Sequence, residues 1–166
     1  MVQKLETAAT PQHNRTADPC VVVIFGASGD LTKRKLIPAI LNLQNGGFLP
    51  KNLAVVGVAR TQLTHAEFRD EVKPDDKVIS AAPMRAAWAS LSERIFYFAA
   101  DATKSESFPG IGEFLKKTDS QVGTPGNYLF YLSVAPTLVA PIVQNLGKCG
   151  LAKEENGRWR RVVIEK

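Results

Sequence analysis

The stretch VVVIFGASGDLTKRKLIPAILNL, residues 21–43, decides the fold that this sequence predicts. Consecutive apolar residues at 21–25 indicate a strand covered on both faces, and the run ends at a Gly-Ala-Ser-Gly turn. A helix pattern follows at once. Free N–H groups and the positive end of the helix dipole favour an anion at such a position. The stretch therefore predicts a phosphate-binding strand, turn and helix.

Four further apolar runs repeat this pattern along the chain: LAVVGVA at 53–59, RIFYFAA at 94–100, YLFYLSV at 128–134 and RVVIE at 161–165. Between the runs, helices are expected at 30–45, 64–73, 81–93, 105–118 and 137–148. Strands that alternate with helices predict an α/β fold, a Rossmann-like doubly wound parallel sheet in three αβα layers. We expect a flexible tail at 1–19 and one domain over 20–166.

Local signals support these helix boundaries. Thr64 and Glu67 have the spacing of a capping box, and Gly46 and Gly150 stand where helices are expected to stop. Pro38 falls inside the first expected helix, where it removes a backbone hydrogen bond. The sequence therefore predicts a bend at Pro38 without a break.

Composition limits the classes of function. The 166 residues carry a formal net charge of +5, and the basic residues are dispersed, which favours a phosphorylated small ligand over a nucleic-acid partner. No apolar run is long enough to cross a membrane, and residues 1–19 lack the apolar segment of a signal peptide. Cys20 and Cys149 have neither zinc-ligand spacing nor disulfide density. We expect a soluble, cytoplasmic protein with reduced thiols.

The glycine turn matches only part of a known fingerprint. Gly26, Ser28 and Gly29 cover part of the dinucleotide pattern Gly-x-Gly-x-x-Gly, and Leu31 stands where a P-loop requires glycine. A tight strand-to-helix turn without a ligand remains the structural alternative.

Arg60 follows the second apolar run, at the position that carries an acidic residue in NAD-binding proteins. No Asp or Glu occurs before Glu67. An arginine there suits the 2′-phosphate of NADP, and a solvated arginine is the alternative interpretation.

Other polar residues have structural interpretations of their own. Residues 33–35 fit a solvated helix face, although Lys33 is near enough to the turn to help hold a pyrophosphate. Asp30 fits helix capping. His13, in the expected tail, and His65, at a helix start, are both poorly placed to act as a general base.

The segments FGASGDLTKRKLIPAILNL, VVGVART, NYLFYLSVAPTLV and RVVIEK occur in the order and at the spacing of one known domain. Over residues 20–166 the chain resembles the amino-terminal coenzyme domain of the glucose-6-phosphate dehydrogenase family. That family uses Gly-x-x-Gly-Asp-Leu where other dehydrogenases have three glycines. Thr137 departs from the second proline that many members carry.

The resemblance implies NADP as cofactor and a role for each matching residue. Arg60 would contact the 2′-phosphate, and Tyr131, with residues 133–136, would lie beside the nicotinamide. Lys166 would reach both the coenzyme and the sugar phosphate of the substrate. Asp101 and Ala102 would lie near the adenosine and ribose. The pyrophosphate would be bound by Gly26, Ala27, Ser28, Gly29, Asp30, Leu31, Thr32 and Lys33.

The resemblance also implies an activity for the intact enzyme, which would be a homo-oligomer that oxidises glucose 6-phosphate to 6-phosphogluconolactone with NADP. In the family a histidine oriented by an aspartate, from a following β+α domain, takes the hydroxyl proton. No catalytic residue is therefore expected in these 166 residues. The sequence stops directly after a strand pattern, which resembles a cut, and we expect the chain alone to be inactive.

Two other classes of protein stay open. A non-catalytic module that senses NADP would use the same turn and the same Arg60. An aspartate-semialdehyde-like or short-chain reductase domain would need a catalytic cysteine or Tyr-x-x-x-Lys, but the chain has no Tyr-x-x-x-Lys and Cys149 falls at an expected helix end.

Overall fold

The computed structural model describes residues 16–165. Residues 1–15 of the predicted tail at 1–19, and the predicted ligand Lys166, lie outside these residues. The strands are β1 Cys20–Phe25, β2 Leu53–Ala59, β3 Ile95–Ala99, β4 Tyr128–Leu132 and β5 Arg160–Ile164. The helices are α1 Ile37–Asn45, α2 His65–Val72, α3 Ala82–Ser92, α4 Phe108–Val122 and α5 Pro136–Lys148. In residues 16–165, no helix combines the length and apolar character needed to span a membrane.

The five strands form one sheet in the order β3-β2-β1-β4-β5, and every neighbouring pair is parallel. The chain winds outward from β1 in one direction to β3 and then crosses to β4 on the other side of β1. This arrangement confirms the predicted doubly wound sheet. It also places β1 at the centre, so that the turn after Phe25 lies where the strand order reverses.

Side chains of β1 alternate between two apolar layers. Val22 and Ile24 pack in the cluster that includes Ile37 of α1, while Val23 and Phe25 pack in the cluster that includes Leu115 of α4. β1 is thus covered on both faces, which explains its unbroken apolar run. Burial of one such large side chain contributes about 1.5–3 kcal/mol to stability. The edge strand β5 departs from the predicted pattern, because its Val162, Val163 and Ile164 are exposed.

Most helix ends agree with the local signals. The Thr64 hydroxyl accepts from the backbone N–H of Glu67, whose carboxylate accepts from the N–H of Thr64, so the capping box is confirmed. The predicted end of the fourth helix at residue 118 is wrong. This helix, α4, continues to Val122, because the left-handed residue that stops it is Gly123, with φ of 75°.

Pro38 is accommodated without breaking the helix. Helical backbone runs from residue 30 to residue 45, and a wide π turn occupies Thr32–Leu36 directly before α1. In this turn the N–H of Ile37 donates to the carbonyl of Thr32, five residues earlier. The predicted absence of a break is confirmed, while the predicted bend stays a prediction; the observed adaptation is a changed hydrogen-bond pattern.

Candidate functional site

The glycine turn is held close to two neighbouring strands. The N–H groups of Gly26 and Ala27 both donate to the carbonyl of Val58 in β2, at 2.9 and 3.3 Å. Gly26 has φ of 80°, and a Cβ there would overlap the backbone carbonyl of Ser133, just after β4. Only glycine fits this position without strain, because both the backbone angle and the space exclude a side chain.

A cavity of about 400 Å³ opens where these strands end. We call it the switch-point cavity. It is lined by Gly26 and Ser28 of the turn, by Arg60 after β2 and by Asp101 and Ala102 after β3, together with Phe25, Val58, Ala59, Thr61, Ala100, Thr103, Ser133, Val134, Leu138 and Ile142. Five predicted cofactor ligands, from three separate segments of the chain, therefore line one cavity.

Asp101 presents a fixed negative charge in this cavity. The hydroxyl and the backbone N–H of Thr103 both donate to its Oδ1, at 2.7 and 3.0 Å. These hydrogen bonds lower the pKa of the Asp101 carboxyl, and the positive charges of Lys104 and Arg60 lower it further. The loop is also held by Asn145 of α5, whose amide donates to the carbonyls of Ala102 and Thr103. The cavity thus carries a cation after β2 and an anion after β3.

A second cavity, of about 310 Å³, also borders the glycine turn. We call it the turn cavity. It is lined by Ala27, Ser28, Gly29, Asp30, Lys33, Glu71 and Val72. Asp30 pairs with Arg34 at 3.1 Å, but both side chains are largely exposed and such a pair contributes little. Ser28 lines both cavities, so the two adjoin at the turn.

The remaining predicted ligands lie elsewhere. Leu31 is half-buried, and Thr32 is fully buried with a hydroxyl that has no hydrogen-bond partner among the described residues. Tyr131 lines a separate groove with Ile24 and Trp159, and its hydroxyl donates to Glu165 at 2.9 Å. The roles predicted for these residues and for Lys166 remain predictions.

Several residues that line the switch-point cavity were not among the predicted ligands. Thr61 directly follows the predicted ligand Arg60, and Thr103 directly follows the predicted ligands at 101–102. Their positions after strand ends could therefore have indicated them in the sequence. Leu138 and Ile142 are four residues apart on α5, where helical spacing places both on one face. Their part in the cavity depends on the packing of α5, for which the sequence has no local signal.

His65 has a structural role in the fold. Its Nδ1 accepts a hydrogen bond from the backbone N–H of Tyr97 at 3.1 Å, and its ring packs against Phe96 and Phe114. Burial, and then the nearby charges of Arg69 and Lys117, lower its pKa. The neutral ring of His65 therefore accepts a hydrogen bond from a backbone N–H of β3, which is an edge strand.

Residues 16–165 contain no cluster of three or more His, Cys, Asp or Glu side chains that could hold a metal ion. The switch-point cavity is instead lined by the glycine turn and by residues at the ends of strands, with Arg60 as its cation and Asp101 as its anion. A central β1 that ends in this turn, beside the point where the strand order reverses, defines a dinucleotide-binding domain of the Rossmann type.

Comparison with known proteins gives the particular family. Residues 23–166 match the family model described as "Glucose-6-phosphate dehydrogenase, NAD binding domain", and the chain belongs to this family. The domain of this family binds a nicotinamide dinucleotide.

Similar proteins carry the same name. The chain is 42% identical to a glucose-6-phosphate 1-dehydrogenase of Chlamydia muridarum over 89% of its length, and 37% identical to glucose-6-phosphate 1-dehydrogenase 2 of Mycobacterium tuberculosis over 92%. It spans 30% of the length of each relative.

Two solved structures are also similar to the chain. One is a glucose-6-phosphate dehydrogenase in complex with its substrate glucose 6-phosphate, with a TM-score of 0.78 and 26% identity. The match covers 96% of this chain and 32% of that one. The other is the glucose-6-phosphate 1-dehydrogenase of Mycobacterium avium, with a TM-score of 0.70 and 27% identity, over 92% of this chain and 30% of that one.

Proposed function

We propose that this chain binds NADP, in preference to NAD, at the switch-point cavity. The observation that carries the proposal is the position of Arg60, which follows β2 and lines the same cavity as the glycine turn. A guanidinium suits the 2′-phosphate, which NAD lacks. The first acidic residue after β2 is Glu67, and its carboxylate is engaged in the capping box of α2.

The other residues have complementary roles in this proposal. The turn from Gly26 to Gly29, with Lys33, binds the pyrophosphate, because the positive end of the helix that starts at residue 30 favours an anion. Asp101 and Ala102 lie on the adenosine and ribose side. The bound coenzyme supplies a nicotinamide ring that accepts hydride, beside Tyr131 and residues 133–136 in this proposal.

We also propose that the chain is the coenzyme domain of a glucose-6-phosphate 1-dehydrogenase, which oxidises glucose 6-phosphate to 6-phosphogluconolactone. The names of the relatives and the substrate complex of a similar structure support this step. Lys166 would contact both the coenzyme and the sugar phosphate. The base that takes the C1 hydroxyl proton would come from the part of the protein that corresponds to the rest of the relatives' length. The full-length protein would be a cytoplasmic homo-oligomer.

Calorimetric titration of the 166-residue chain tests coenzyme binding directly. We expect NADP to bind at least about tenfold more tightly than NAD, since a hydrogen bond to a charged group contributes about 1.5–3 kcal/mol. Equal affinities would contradict the role of Arg60, and absence of binding would contradict the whole proposal.

Production of NADPH from glucose 6-phosphate, followed by absorbance, tests the reaction. We expect turnover by the full-length protein and none by the 166 residues alone, because positioned acid–base catalysis contributes about a hundred- to ten-thousandfold. Steady-state turnover by the 166 residues would show that they contain a base, and His65 would be the first residue to examine.

A further inference from the structure

The wide turn before α1 lies between the glycine turn and a firmly packed helix. Ile37 and Leu41 of α1 are fully buried against the sheet, so the rotation of α1 about its axis is set by the core. The carbonyl of Thr32 accepts from the N–H of Ile37, five residues on, and Pro38 is the next residue. The extra residue of this π turn is therefore inserted before α1, on the side of the helix that leads to the glycine turn.

Pro38 explains why the turn is wide. In a regular α-helix residue 38 would donate to the carbonyl of Arg34, but proline has no N–H and its ring would clash with that carbonyl. A π turn widens the backbone directly before the proline. Such single wide turns within helices occur frequently at functional sites.

The turn also decides which side chains face the ligand. Because residues of an α-helix are separated by about 100° of rotation, removal of the inserted residue would rotate everything before it by about that angle. With the π turn in place, Thr32 is fully buried and Lys33 lines the turn cavity beside Gly29 and Asp30. The unpaired hydroxyl of Thr32 indicates that a requirement other than its own hydrogen bonding places it inside.

We propose that Pro38 is a positioning residue for the coenzyme. It maintains the π turn, and the π turn directs Lys33 to the phosphate side of the glycine turn. Pro38 itself touches no ligand in this proposal. The inference rests on the proposed function, since it concerns the same coenzyme.

The test compares NADP affinity in Pro38→Ala, Lys33→Ala and the double variant. We expect each single variant to bind NADP about tenfold more weakly, since the ammonium of Lys33 is lost in one and turned away in the other. If Pro38 acts through Lys33, the double variant will lose no more than either single variant. Pro83→Ala serves as the control, because Pro83 lies in the first turn of α3, where proline is tolerated; its NADP affinity should equal that of the original chain.

Amide hydrogen exchange reports on the turn itself. In Pro38→Ala the new N–H of residue 38 should be protected by the carbonyl of Arg34, as in a regular helix, while the melting temperature does not fall. Pro38→Ser restores the same N–H and replaces this variant if Pro38→Ala does not fold.

Two outcomes would overturn the inference: unchanged NADP affinity in Pro38→Ala, or additive losses in the double variant. Failure of the unsubstituted chain to bind NADP would instead contradict the proposed function. The two failures are therefore distinguishable in one set of titrations.

Discussion

Gly26 lies directly against the backbone carbonyl of Ser133, so that the end of β1 and the segment after β4 pack together with no room for a side chain between them. The N–H of Ser133 also donates to the carbonyl of Phe25 at 3.0 Å. The floor of the switch-point cavity is thus formed by two segments more than 100 residues apart in the sequence. This contact, together with the left-handed backbone at Gly26, makes the position sensitive to substitution.

Gly26→Ala should lower the free energy of unfolding by about 2–5 kcal/mol, because a left-handed backbone costs about 1–2 kcal/mol and forced overpacking about 1–3 kcal/mol. Gly47→Ala is the matched control. Gly47 has φ of 73° and open space around its Cβ position, so only the backbone cost applies. Equal losses in the two variants, measured by denaturant unfolding, would show that the contact with Ser133 is unimportant.

Arg60→Ala should weaken NADP binding by about ten- to a hundredfold and leave NAD binding nearly unchanged, because only NADP carries the 2′-phosphate. Titration calorimetry with both coenzymes measures the difference. Arg85→Ala, in α3 and away from both cavities, should change neither affinity. A similar loss for NAD and NADP would exclude the 2′-phosphate role of Arg60.

Thr32→Val should raise the free energy of unfolding by about 1 kcal/mol or more, because it removes a buried hydroxyl that has no partner in the described part of the chain. Thr118→Val is the contrasting control. Thr118 is also buried, but its hydroxyl donates to the carbonyl of Phe114 at 2.9 Å, so its replacement should not stabilise the fold. NADP affinity should survive in Thr32→Val; a marked loss would place the hydroxyl in contact with the coenzyme.

The free energy of unfolding should decrease as the pH falls below about 6.5, partly through His65. The folded protein lowers the pKa of His65, chiefly by burial, so the unfolded chain binds more protons between the ordinary and the lowered pKa. Stability therefore rises with pH across that window and is lost as the pH falls through it. Comparison with His65→Gln by denaturant unfolding at several pH values isolates this contribution, and an identical pH profile in the variant would contradict it.

The order of strands and helices, the position of the glycine turn and the location of Arg60 could all be predicted from the sequence. These features depend on neighbours in the chain: an apolar run indicates a strand buried on both faces, and glycine indicates a turn that needs a left-handed backbone. The handedness of strand–helix–strand units then brings the ends of parallel strands to one edge. Arg60 and Asp101, as residues that follow strands, share that edge for the same reason.

Tertiary structure alone decided which way individual side chains face. Thr32 belongs to the predicted phosphate-binding segment, yet it is buried beside a helix whose Ile37 and Leu41 pack in the core, and Tyr131 pairs with Glu165 outside the switch-point cavity. Ser133 reaches Gly26 only because β4 lies beside β1 in the sheet. A local pattern determines the type of an element and most of its extent, but the facing of a side chain depends on hydrogen-bond register and on packing against segments that are distant in the chain.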